Sequence, residues 1–280
     1  MKPTRLFFLT CLALIAFAGN SLLCRAALKH LTIDAASFTF IRIASGALAL
    51  SLIMQLHRGE TVRAGSWISA GALFIYAAAF SFAYHTLSAG TGALLLFGAV
   101  QATMILWGWR QGEQLRALQL FGLALALAGL VWLLAPGLSA PPLGGSILML
   151  SAGVAWGVYS LRGKKALNPA GATAGNFLRA VPFAAVLALV FLPSAHIERA
   201  GVFYAVLSGA LASGAGYVIW YSALPGLKAA SAATVQLSVP VLTAAGGILL
   251  LGESLSLRFL LASVAVLGGI ALVVFDLTKL

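Results

Sequence analysis

The chain has almost no acid. Aspartate and glutamate together number 6 among 280 residues, and only 8% of residues are charged. The six are Asp34, Glu60, Glu113, Glu198, Glu253 and Asp276, and each falls in a connection or at the end of an apolar run. So little charge excludes a soluble domain, which needs far more polar surface. The residues of common catalytic motifs are missing as well. There is no HExxH and no GxSxG, and the four histidines, His30, His57, His85 and His196, all sit near run ends. With no metal-ligand spacing and no nucleophile beside a base, neither a metal, nor a cofactor, nor catalysis is expected. Cysteine is scarce too. Cys11 and Cys24 lie in one predicted helix, about 20 Å apart by helical rise, and cannot pair. They read as buried small hydrophobes.

What fills the chain is apolar: 61% of its residues are hydrophobic. Runs of about 18 or more apolar residues read as membrane spans, because about 20 helical residues cross a hydrocarbon core. The runs predict ten helices, at roughly 5–27, 35–56, 65–87, 89–108, 117–135, 143–161, 172–193, 200–223, 229–251 and 259–276. The fold class expected is therefore an all-α polytopic membrane protein. The first run follows basic residues, as in a signal peptide, but it has no clear cleavage site and reads as a retained span.

The net charge of +11 does not point to nucleic acid. Lysine and arginine are scattered singly at span ends, which is the pattern of membrane orientation. Eleven of them fall on the side of the two termini and four on the other, with Arg42 and Arg179 inside spans. By the positive-inside rule both termini are cytoplasmic, in a bacterial inner or plasma membrane. The bilayer and a small-molecule substrate are the partners expected. The sequence is compatible with a monomer or a homodimer.

The chain also repeats itself. Gly112-Glu113 recurs as Gly252-Glu253 and Ala128-Gly129 as Gly268-Gly269, both at a shift of 140. Phe40-Ile41-Arg42 recurs as Phe177-Leu178-Arg179 at 137, and Gly71-Ala72-Leu73 as Gly209-Ala210-Leu211 at 138. The nearly constant shift divides the chain into two five-span halves, 1–139 and 140–280. Five is odd, so the second half crosses the membrane inverted, as in many secondary transporters, with a substrate site between the halves near the midplane.

These features resemble a known family. Tyr221 to Val274, with a Tyr-x-x-Leu helix end, a Pro-Val inside an Ala-rich span, Gly-Glu and a glycine-rich last span, resembles the closing helices of EamA-type proteins of the drug/metabolite transporter superfamily. The first half is similar through AGN at 18–20, the second-span arginine and GE at 112–113. It departs where Val100 and Gln101 stand at the place of Pro240, and where Ala18-Gly19 stands at the place of Trp156-Gly157. The resemblance implies a transporter and a central path lined by spans one, three, four, six, eight and nine.

The candidate cavity residues are Asn20, Arg42, Tyr76, Tyr84, His85, Gln101, Trp156, Tyr159, Arg179 and Gln236. Tyr76, Phe80 and Tyr84 share one face of span three, at i, i+4 and i+8. An intramembrane charge marks a substrate site or a buried partner, so Arg42 and Arg179 face protein or water; each could also snorkel or cap a neighbouring helix end. Isolated Asn and Gln also serve as interhelical glue. Trp67, Trp107, Trp109, Trp220 and Tyr221, near span ends, read as interfacial anchors. Pro240 is expected to break span nine by leaving the Gln236 carbonyl without its amide. Glu113 and Glu253 read as structural caps, Glu253 for the helix that follows it.

With no acid at midplane depth, a cationic drug lacks its counter-ion and a proton lacks a carboxylate relay. The expectation is an exporter of a small neutral or zwitterionic metabolite such as an amino acid, or a weakly anionic one, by alternating access. The rival readings are a non-transporting receptor or assembly factor, and a lipid-modifying intramembrane enzyme.

Overall fold

Short polar caps cut the apolar runs into helices. The structure, a computed structural model, describes residues 3–56, 64–112, 116–137, 139–163, 168–223, 226–227 and 235–277. Among these the chain forms α1 (Pro3–Lys29), α2 (Ala35–Leu56), α3 (Trp67–Tyr84), α4 (Ala89–Arg110), α5 (Ala117–Leu134), α6 (Leu143–Gly163) and α7 (Pro169–Val190). A 3-10 turn at Leu192–Ser194 leads to α8 (Arg199–Ala223), followed by α9 (Ser238–Leu251) and α10 (Leu257–Leu277). No strand is present among the described residues; one isolated bridge joins Ile33 to Ile197.

The caps are local and legible. Asp34 accepts from the amides of Ala36 and Ser37 at the start of α2. Ser66 accepts from the Ser69 amide, Ser88 from that of Thr91, and Asn168 from that of Gly171 at the start of α7, where Pro169 takes the first position. Gly252, at φ 61°, ends α9 in the left-handed conformation that glycine adopts without strain. Inside the helices, Thr39, Ser51, Ser81, Thr103 and Thr173 donate to carbonyls four residues back, so these hydroxyls cost little in an apolar setting.

Among the described residues eight helices, α1 to α8, are long and apolar enough to cross a membrane. The outward faces stay apolar: Leu48, Leu52, Ile75, Val131, Leu189 and Leu249 are all exposed. That surface suits lipid and is untenable in water. The chain is thus an integral, polytopic helical membrane protein.

Packing follows pairs. The most extensive interface joins α5 to α10, and α2 packs on α7 and α4 on α9. Six further interfaces fall in matched sets: α3 with α6 and α1 with α8, α4 with α6 and α1 with α9, α3 with α7 and α2 with α8. Glycine permits the closest of these. A methyl on Gly122 would collide with the Gly269 carbonyl and one on Gly269 with the Gly122 carbonyl, so the α5 and α10 backbones touch directly.

One expectation is sharpened and two change. The break expected at Pro240 falls just before it. The chain turns at Leu237, α9 starts at Ser238, and Pro240 is its third residue, where a helix has no intrahelical use for the missing amide. The break therefore precedes the proline, and the Ser238 hydroxyl donates to the Val235 carbonyl across it. Glu253 caps α4, not α10; Ser256 caps α10 by accepting from the Phe259 amide. Trp220 is not an interfacial anchor. It is buried against Phe17 of α1, with ring centroids 5.8 Å apart. Glu113 lies outside the described residues.

Candidate transport cavity

Four helices meet around one buried charge. Arg42, on α2, is 2% exposed. Its Nε donates to Ser213 Oγ on α8 at 3.3 Å, and its Nη2 donates to the Tyr76 hydroxyl on α3 at 3.0 Å. Tyr76 also accepts from Asn20 Nδ2 on α1 at 3.2 Å, and Asn20 Oδ1 accepts from the Ser208 hydroxyl on α8 at 2.6 Å. The guanidinium carbon lies 5.1 Å from the Tyr76 ring centroid and 4.9 Å from that of Phe80, within cation–π range. Arg42 Nη1 is buried and has no hydrogen-bond partner. No ion pair to Arg42 exists among the described residues.

Aromatic rings complete the surroundings. Trp156 on α6 packs on Tyr76 at 4.8 Å, on Tyr217 at 5.0 Å and on Tyr159 at 5.4 Å between centroids. Phe17, Asn20, Ser21, Tyr76, Phe80 and Trp156, with Tyr217, wall a cavity of about 20 Å³. That is room for roughly one water, so the centre is closed in this conformation.

An irregularity in α8 builds part of this cluster. Residues Leu207–Ala215 form a π-helix. In an α-helix, Ser208 and Ser213 would point about 140° apart. In a π segment, bonded i to i+5, residues five apart return to nearly one face. Both serines therefore reach the same network. Gly209 lies against the Arg42 carbonyl and Ser45, where a methyl would collide with backbone, so α2 and α8 approach closely here.

The candidate residues divide. Arg42, Tyr76, Asn20 and Trp156 come together. Tyr159 borders them, accepting weakly from Asn176 and meeting Thr173, both at 3.5 Å. Neither Gln101, buried on α4, nor Arg42 is among the residues that wall the cavity; Arg42 joins that wall through Tyr76. Tyr84 donates to the Ala89 carbonyl at 3.3 Å, which ties α3 to α4 away from the cavity. His85 is exposed past the end of α3, beside a surface cavity shared with Asp34 and His196. Arg179 donates to the Ala64 carbonyl at 3.1 Å and to that of Gly175 at 2.9 Å, which is a helix-end contact. Gln236 is half-buried just before the turn at Leu237. The residues that periodicity missed are Phe17, Ser208 and Tyr217. The density of small residues on span eight, Gly209, Ser213 and Gly216, was the only trace of the π segment.

A second polar knot lies at the helix ends where α1 and α9 finish. Arg25 Nε pairs with Glu253 Oε1 at 2.9 Å, and its Nη1 donates to the Tyr84 carbonyl at 2.9 Å. Glu253 Oε2 accepts from the Ala89 amide at 2.8 Å, and Lys29 donates to the Leu251 carbonyl.

Residues 143–275 match the EamA-like transporter family. A protein of Pseudomonas aeruginosa, described as uncharacterized, is 59% identical over 274 residues, covering 98% of this chain and 96% of the other. The chain belongs to the EamA-like transporter family. Two more distant relatives are described as uncharacterized transporters. One, from Archaeoglobus fulgidus, is 26% identical over 84% of this chain and 86% of its own. The other, from Bacillus subtilis, is 22% identical over 86% and 88% respectively. A solved crystal structure shares the fold, with a TM-score of 0.67 at 17% identity, covering 99% of this chain and 98% of that one. This EamA-like protein is accordingly a membrane transporter.

Proposed function

We propose that the protein is a secondary transporter that exports a small carboxylate-bearing metabolite of no net positive charge, with amino acids the first solutes to test. Its ten helices form two inverted five-helix repeats, residues 1–139 and 140–280, that rock about the Arg42 cluster to give alternating access. The matched packing pairs support this reading. Exchanging each helix for the one five places along converts every interface in the set into another of the same set. Both termini are cytoplasmic, in keeping with the lysine and arginine distribution. The protein has no catalytic role.

The observation that carries the proposal is the fully buried Arg42 with a free Nη1 and no carboxylate partner among the described residues. An unpaired buried charge costs several kcal/mol. Such a cost persists where function uses it, and a substrate carboxylate would relieve it with a charge-assisted hydrogen bond. Tyr76, Asn20 and Trp156 line the path, with Arg42 behind Tyr76 and Tyr159, Gln101 and Gln236 towards the margins. Arg179, Tyr84 and His85 support the frame.

Counterflow of labelled amino acids in proteoliposomes tests this. The protein should exchange at least one carboxylate solute, and Arg42→Ala should insert normally yet lose at least 10-fold in rate. Undiminished exchange by Arg42→Ala would remove the cluster from the mechanism.

A further inference from the structure

We infer that the central site prefers an organic monoanion with a planar apolar body over the zwitterion of the same skeleton. This rests on the transport reading above and narrows its substrate.

The first ground is the balance of donors and acceptors. Every polar group in the cluster can be counted. Arg42 offers only donors, and both hydrogens on Nη1 are unused. The Tyr76 oxygen accepts twice, from Arg42 and from Asn20, so its lone pairs are occupied while its own proton has no acceptor among the described residues. The Asn20 oxygen is taken by Ser208, and the Ser213 oxygen accepts from Arg42. The unused guanidinium hydrogens are the charged donors of the surplus; the oxygens left over, on Ser208 and Ser213, are neutral hydroxyls. A carboxylate, which only accepts, complements the guanidinium. An ammonium, which only donates, finds neutral hydroxyl oxygens there and no carboxylate among the described residues.

Charge is the second ground. Three of the six acids have described partners elsewhere. Asp34 receives backbone amides at the start of α2, Glu198 meets His196, and Glu253 pairs with Arg25. Glu60, Glu113 and Asp276 stand at span ends in the sequence. None of Asp34, Glu198 and Glu253 pairs with the guanidinium. A zwitterion would bring its ammonium next to a positive charge whose aromatic neighbours, Tyr76 and Phe80, already serve that charge. A monoanion leaves the occupied site neutral.

The body follows from the walls. Phe17, Tyr76, Phe80, Trp156 and Tyr217 present ring faces and edges to the cavity, and Leu96 and Phe97 close it from α4. A flat apolar group can slide between Trp156 and Tyr217 as the cavity opens, and offset or edge contacts with such rings favour it.

A charge series on one skeleton tests this: phenyllactate as the anion, phenylalanine as the zwitterion, phenyllactamide as the neutral form and phenethylamine as the cation. In counterflow at pH 7.5, wild-type protein should exchange phenyllactate at least 10-fold faster than phenylalanine and should not move phenethylamine. Arg42→Lys, which keeps the charge, should retain the preference at a reduced rate, and Arg42→Gln should lose it. Equal or faster exchange of phenylalanine by the wild type overturns the inference, whatever the variants do. Exchange of other metabolites but of none in this series also overturns it and leaves the transport reading standing. Absence of exchange for every solute offered defeats both.

Discussion

Tyr76 shows how much one oxygen carries at the residue scale. It accepts from Arg42 and Asn20 and so joins α1, α2 and α3 at a single atom. Tyr76→Phe keeps the ring and its contact with Trp156 but strands two buried donors, each costing about 1–3 kcal/mol. The variant should melt several degrees lower in detergent, and its exchange rate should fall further than its stability does. A thermal melt beside counterflow on the same preparation separates the two effects. Asn20, Arg42 and Tyr76 were legible as polar or aromatic groups at interior depth. Their joining was not, because it depends on three helices converging, and nothing in the local spacing encodes that.

Connections decide more than spans at the scale of elements. Glu253 was readable as a cap, since Gly-Glu ends an apolar run. Its true target, the amide of Ala89, is 164 residues away in the chain. It binds the start of α4 while neutralising Arg25, so a single carboxylate ties α1, α4 and α9 together. Glu253→Ala should cost about 3 kcal/mol, because it leaves Arg25 unpaired and the α4 amide uncapped. Glu253→Gln keeps an acceptor for the amide and should recover part of that loss; equal melting of the two variants would show that the cap contributes nothing. The π segment of α8 is the other deciding element. It turns Ser208 and Ser213 to one side and brings Gly209 onto the α2 backbone. Gly209→Ala would force those backbones apart, so we expect about 1–3 kcal/mol of destabilisation and weakened transport. A circular-dichroism melt and counterflow check both.

On the scale of the whole molecule, the matched interfaces matter most. The larger interfaces between helices of the two halves fall in pairs five helices apart, which is the pattern the proposed exchange of roles needs. In the closed form here the centre holds about 20 Å³, and the Arg25–Glu253 knot fastens one end. The distribution of basic residues predicts the sidedness. A reporter that fluoresces only in the cytoplasm should be active when fused to the C-terminus, and one that needs export should be silent; the reverse result would invert the assignment.

The sequence by itself determined the membrane class, the placement of most helices and the presence of an unusual intramembrane arginine. These follow from hydropathy and from hydrogen bonds made within a few residues, which are local properties of the chain. Tertiary structure alone decided that Arg42 rather than Arg179 lies at the centre, that α8 winds as a π-helix, that Pro240 opens a helix rather than kinking one, and that Glu253 caps α4. Each depends on which backbone comes within reach across tens of residues of chain, and only the packed bundle sets those distances.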